Sequence, residues 1–148
     1  MFVETRLTRI QSYGHLNNVV YVRYAESSRI AFIHQILGPH LPPDLYQSYM
    51  NGTELAIVLK SIEMNYRSPV VYPDVITMAT RIPIKSITKD RMNQEFIAVS
   101  HAQERIVAYG KAVIVSFDTR TQSKADLPQE VIDCLRDHQG EPMDESKL

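Results

Sequence analysis

Cysteine is almost absent: Cys134 is the only one in 148 residues. A lone thiol excludes a disulfide within the chain and a cysteine-rich zinc site, and it fits a reducing compartment. An excess of either charge is also missing. With 16 Lys and Arg against 17 Asp and Glu, the chain has no basic field of the kind that draws a protein to nucleic acid or an anionic membrane. Any anionic ligand must therefore be met by a local patch. No apolar run approaches the ~18 residues that span a bilayer. The start, Met1 to Gln11, lacks the basic-then-apolar build of a secretory signal. The expectation is a cytoplasmic protein without nucleic-acid or membrane partners, and the mitochondrial matrix stays open as a second reducing compartment.

What is present is a chain 44% hydrophobic, enough for one compact core and too little for two. Residues 1–140 are expected to form a single domain, with 141–148 as a frayed tail. Phe2 to Ile10 mixes β-branched and apolar residues with polar ones and reads as a first strand, broken at Ser12-Tyr13-Gly14. From Asn18 to Leu37 there is neither Gly nor Pro, and Gly38-Pro39 follows as a stop. That stretch predicts one long helix, capped by Asn17 or Asn18. Its apolar residues cover more than half of the circumference, so the helix should be largely enclosed. After a Pro-rich connection with a short helix around Asp44 to Met50, the period changes to two. Ile62, Met64 and Tyr66 alternate with Glu63, Asn65 and Arg67, which sends one set to a core and the other to solvent or a partner.

Further strands are expected at Leu55 to Leu59, running into Ile62 to Arg67, and at Val75 to Ile82, Gln94 to His101 and Ile106 to Phe117, and an amphipathic helix at Pro128 to His138 with Val131, Ile132 and Leu135 inward. Successive strands with no helix between them lack the crossovers that a parallel sheet needs. The sheet should be antiparallel. About five strands wrapped around one long helix make an α+β hotdog fold.

The segment YGHLNNVVYVRYAESSR, Tyr13 to Arg29, carries a resemblance. Gly14-His15, Asn17-Asn18, Tyr21, Glu26 and Arg29 are similar to the signature of hotdog thioesterases of the 4-hydroxybenzoyl-CoA thioesterase type: an aspartate three residues before a GH, then N-N-x-x-Y and a helical E-x-x-R. Downstream, Tyr66-Arg67-Ser68-Pro69 and Tyr72-Pro73-Asp74 resemble that family's Y-x-x-P and turn aspartate, and Phe117-Asp118 and Leu127-Pro128 its closing strand and last helix. The likeness runs through nearly the whole chain in order. It implies hydrolysis of an acyl-CoA or acyl-carrier-protein thioester, with no cofactor beyond the CoA of the substrate. It also implies a homodimer or homotetramer with sites at the subunit interface.

Laid on these residues, the chemistry needs donors aimed at the thioester oxygen as it becomes negative. The free N–H groups at the start of the helix, about Asn17 to Val19, suit it. Tyr21 either packs against the pocket or lines it. Attack needs a carboxylate nucleophile or a base on water. Here the chain departs from the family: Gln11 stands at the aspartate position, and Arg9 where a second acid is often found. A glutamine cannot ionise; it can only hold a water. His15 and Glu26 are the replacement bases, with Glu54 of a neighbouring subunit more distant. Each has a plainer role: His15 in fixing the turn, Glu26 in an i,i+3 pair with Arg29, and Glu54 as a solvated loop residue.

For the CoA phosphates, Lys85, Lys89 and Arg91 cluster between two strands where the family's CoA-contacting hairpin falls, and Arg67 is expected on the same face. The other reading of such a hairpin is solvated charge. A hotdog protein that only binds an acyl thioester, or serves as a structural subunit, is the alternative that Gln11 and Arg9 support. A dehydratase would want a helix-borne His with an acid at another spacing, which is not found.

Overall fold

The computed structural model describes residues 2–6 and 14–138. The elements run β1 (Phe2–Arg6), α1 (Asn18–Phe32), α2 (Pro43–Asn51), β2 (Leu55–Tyr66), β3 (Val75–Arg81), β4 (Arg91–Ser100), β5 (Arg105–Asp118), β6 (Ser123–Lys124) and α3 (Gln129–Asp137). The strands form one antiparallel sheet in the order β1-β3-β4-β5-β2, with the two-residue β6 hung on β5. This is the hotdog arrangement that the single helix and the helix-free run of strands predict. The part of the expected first strand beyond Arg6, and the tail 141–148, lie outside the described residues.

β4 shows why the sheet takes up the helix. Met92, Gln94, Phe96, Ala98 and Ser100 are buried while their neighbours are half-exposed, the period-two pattern of a strand with one covered face. Phe96 lies over β5 where Gly110 has no side chain. A Cβ at Gly110 would stand 2.9 Å from the Phe96 ring and collide with the Glu63 carbonyl, so glycine here is a packing requirement. Ile62 and Met64 reach the same core as expected, whereas Tyr66 remains 44% exposed. On the opposite face the register lines up Glu63, Lys111, Glu95 and Arg81 across four strands. Ion pairs join Lys111 to Glu63 (3.3 Å) and Arg81 to Glu95 (2.5 Å), a solvated charged row.

Three differences from the sequence reading have physical causes. The two adjoining segments expected at Leu55 to Leu59 and Ile62 to Arg67 form one continuous strand, β2, because Lys60 is absorbed in a bulge between the Leu59–Ile114 and Ser61–Val113 pairs. β4 starts at Arg91, three residues early, since the ladder with Val115 and Val113 is indifferent to polar side chains on the exposed face. The long helix is α-helical to Phe32 and closes in a π-helical turn, Ile33–Leu37. It is also less enclosed than expected: Tyr21, Ala25, Ser28 and Phe32 are buried, but Val19 is 61% exposed and Ile30 42%. One sheet can cover only one side of a helix.

Among the described residues, no helix is long and apolar enough to cross a membrane. The second core, beneath α3, takes Val131, Cys134 and Leu135 fully and Ile132 in part, against Phe32, Ile33, Leu37 and Ile114.

Candidate active site

The start of α1 is built by two local devices. Gly14 adopts φ +74°, left-handed backbone that glycine enters without strain. No atom lies within 4 Å of where its Cβ would be, so the conformation rather than crowding calls for glycine. Three residues on, Asn17 caps the helix: its backbone is extended and its Oδ1 accepts from the Val19 N–H at 3.0 Å. The Val20 N–H donates to the Asn17 carbonyl at 3.0 Å. Among the described residues the main-chain N–H groups of Asn17 and Asn18 make no hydrogen bond. Of the three amides expected to face an oxyanion, then, Val19's is spent on the cap and two remain.

Between them the turn is anchored from outside. The Leu16 N–H donates to the Val70 carbonyl at 2.8 Å, and both side chains are buried in the core that holds Tyr21. Tyr21 is 2% exposed and meets Tyr66 edge to face, with ring centroids 5.3 Å apart. Burial above all, then Tyr66, Asp74 and Tyr24, pushes its phenol up to about 12, so it stays a neutral donor at physiological pH. Tyr21 is thus a packed core residue between the start of α1 and the end of β2.

The candidate bases are dispersed. Gln11 and Arg9 lie outside the described residues. His15 is exposed, beside the turn and two residues before Asn17. Glu26 is exposed, and its pair with Arg29 is loose at 4.0 Å; burial lowers the Arg29 guanidinium below its ordinary value and Glu26 opposes that. Eight residues from Asn18, Glu26 sits roughly 12 Å along the helix axis. Within one protomer it is therefore too far to serve a carbonyl held at the Asn17 and Asn18 amides. Glu54 closes a turn at φ 52° and lies 3.8 Å from Arg120.

The basic segment is only partly free. Arg91 is held by Asp90 at 2.7 and 3.0 Å, which depresses the Asp90 carboxyl to about 2. Lys89 lies 3.4 Å from Asp126. Lys85 is exposed in a short turn, Ile84–Ser86. Arg67 stacks over the Tyr109 ring at 5.2 Å. Its amide bonds the Val107 carbonyl, while Arg91 pairs with Val115; eight strand residues separate the two, roughly 25 Å. The four cations do not form one patch in a protomer.

Two polar clusters support the site; the sequence marks Asp74 of the first as resembling the family's turn aspartate and leaves Gln94 of the second unassigned. Asp74, 8% exposed, accepts from Val75 N (2.7 Å), Ala102 N (3.0 Å) and Ser100 Oγ (2.5 Å). Gln94, 1% exposed, donates to Thr80 Oγ1 (2.8 Å), Ser28 Oγ (3.3 Å) and the Ala25 carbonyl (3.3 Å), and so pins the middle of α1 to the sheet. Its sequence signal was a polar residue at a core-facing position of an alternating strand. Among the described residues, no three of His, Cys, Asp and Glu are grouped to hold a metal ion.

Comparison with known proteins settles the family, since a model described as the thioesterase-like superfamily matches residues 5–135. The chain belongs to the thioesterase-like superfamily. A superfamily relative, the long-chain acyl-CoA thioesterase FadM of Escherichia coli strain K12, is 23% identical over 133 residues, covering 90% of this chain and 93% of that protein. Among solved structures, the PA5185 protein of Pseudomonas aeruginosa strain PAO1 superposes with a TM-score of 0.76 at 24% identity, over 97% of this chain and 94% of that one. A thioesterase from Thermus thermophilus, solved with coenzyme A and zinc, gives 0.72 at 20% identity, over 91% and 96%. At such identities the structural likeness speaks for the fold, and the superfamily match for the lineage.

Proposed function

We propose that this member of the superfamily hydrolyses an acyl-CoA or acyl-carrier-protein thioester, at a site completed by a second copy of the chain. The observation that carries the reading is the capped start of α1, where two amides remain unspent beside Tyr21. A thioester oxygen received there would meet two N–H donors and the positive end of the helix as charge develops on it. Water then adds to the carbonyl carbon, a base takes its proton, and the C–S bond breaks to release the thiol. Gln11 would orient that water through its side-chain amide, with His15 as the base. Glu26 is retained as a base only if the second copy brings it to the site. A panel of short, long and aromatic acyl-CoAs, read by free-thiol release, tests this. Thiol release above the uncatalysed rate for at least one of them is expected; none for any would leave a hotdog protein that binds or supports without hydrolysis, a reading Gln11 and Arg9 favour.

The second copy is argued from the edge of the sheet. β2 ends the strand order, and it exposes Val58 (44%), Leu59 (38%) and Tyr66 (44%), with Val19, Val71 and Tyr72 also open. A long apolar edge invites pairing by another strand. Light scattering at micromolar concentration should give a homodimer or homotetramer, and Val58→Lys with Leu59→Lys should shift the mass toward the monomer. A monomeric wild type would remove both the pairing and the shared site.

Lys85, Lys89 and Arg91 are the proposed contacts for the CoA phosphates, the latter two exchanging their present carboxylates for phosphate. Replacing all three by alanine should weaken CoA binding about tenfold, because exposed charge contacts are individually weak. Added salt should erode the wild-type affinity in the same direction. Equal affinity in wild type and triple variant would return the segment to solvated surface.

A further inference from the structure

The turn that leads into α1 is held by a chain of bonds that begins in the β4–β5 hairpin, remote in sequence from the residues assigned to chemistry. Gln103 lies in that hairpin, and its side chain is committed to the connector that joins β2 to β3. Its Oε1 accepts from Ser68 Oγ (2.7 Å) and from Arg105 Nη2 (3.0 Å) and Nε (3.2 Å). Its Nε2 donates to the Pro69 carbonyl at 2.9 Å. Arg105 reinforces the same spot by donating to Ser68 Oγ at 2.6 Å. The Gln103 main-chain N–H donates to Ser100 Oγ at 3.0 Å, and Ser100 donates to Asp74 at the far end of the connector. Both ends of the connector are thus tied to one hairpin.

The next residue along the connector, Val70, is the one whose carbonyl receives the Leu16 N–H. Val70 and Leu16 are 1% and 6% exposed in a common core, so a displacement of one is transmitted to the other rather than absorbed. Leu16 directly precedes Asn17 and Asn18, whose amides are the proposed carbonyl donors.

We propose that Gln103 is a positioning residue: through Pro69, Val70 and Leu16 it fixes where the start of α1 presents its free amides. The inference rests on reading that helix start as the thioester site. A donor displaced by a fraction of an ångström leaves the ground state bound but serves the developing oxyanion less well. The loss therefore falls on kcat rather than KM.

The test compares wild type, Gln103→Ala and Gln103→Glu by two readouts, amide hydrogen exchange at Leu16 and steady-state thioester hydrolysis. In Gln103→Ala the Leu16 amide should exchange at least tenfold faster while amides within the β4–β5 ladder keep their rates. The kcat should fall about tenfold, with KM within twofold of wild type. Gln103→Glu keeps the acceptor oxygens for Ser68 and Arg105 and loses only the donor to Pro69. It isolates that bond if the alanine variant fails to fold, and it too should expose Leu16. Unchanged exchange at Leu16 overturns the proposal whatever the activity. Faster exchange with unchanged kcat also overturns it, since Gln103 would then be structural alone. If the wild type hydrolyses no acyl-CoA, the thioesterase reading is what fails, and Leu16 exchange still decides whether Gln103 holds the turn.

Discussion

Replacing Asp74 by alanine should lower the melting temperature by about 10 °C, equivalent to roughly 3 kcal/mol for a domain of this size. The side chain is 8% exposed and serves three donors: its own neighbour Val75, the hairpin amide of Ala102 and the Ser100 hydroxyl. Alanine leaves all three without their acceptor, and the two that come from another element also lose the tie between hairpin and connector. Removing one partner of a buried hydrogen bond costs more than the bond itself contributes, because the group left behind is desolvated without compensation. An asparagine in its place retains one acceptor oxygen and can turn a donor toward Ser100 Oγ, so Asp74→Asn should cost less than half as much. Thermal and denaturant unfolding of both variants, with an unchanged denaturant slope, would report this. A change in melting temperature below about 2 °C for Asp74→Ala would mean that water replaces the carboxyl readily and that the connector needs no such tie.

The same cluster shows what a sequence exposes and what it hides. Hydrophobic period found the elements: the glycine- and proline-free stretch from Asn18 to Leu37, the alternation at Ile62, Met64 and Tyr66, and the inward set Val131, Ile132 and Leu135 all answer to observed helices and strands. Period is a local property, carried by neighbours a few residues apart. The bonds that place the candidate site are not local. Leu16 meets Val70, Gln103 meets Ser68 and Pro69, and Gln94 meets Ser28 across 66 positions. Nothing in the neighbourhood of Gln103 in sequence marks it as different from any polar hairpin residue. Enclosure of α1 was overestimated for a related reason. Apolar coverage of a helix says how much surface wants to leave water, but not whether its own chain or another copy covers it, and Val19 and Ile30 are left open by this sheet. The cap at Asn17 was legible because capping chemistry is local; the loss of Val19's amide to that cap followed only from the geometry.

The largest effect on activity should come from the residue at position 11. On the proposed mechanism, a site with oxyanion donors and no ionisable group at that position would depend on a water held by Gln11 and a proton taken by His15. Such a base works in its neutral form, taking the proton that the attacking water gives up. His15→Ala should then remove most of the rate, by about a hundredfold. Hydrolysis through a carboxylate base supplied by Glu26 would instead be abolished by Glu26→Gln, with His15→Ala nearly silent. Gln11→Asp makes the comparison sharper. It places an ionised oxygen where a glutamine could only orient water, and the resulting base or nucleophile is active once deprotonated. The variant should therefore hydrolyse acyl-CoA faster than the wild type and should no longer need His15. The added carboxylate raises kcat only if the Asn17 and Asn18 amides are where the thioester oxygen sits, because a base without an oxyanion site has little to act on. No hydrolysis by either the wild type or Gln11→Asp, on short, long or aromatic acyl-CoA, would therefore count against the helix start as well as against the base. The chain would then be read as a hotdog protein that binds an acyl thioester or serves as a structural subunit.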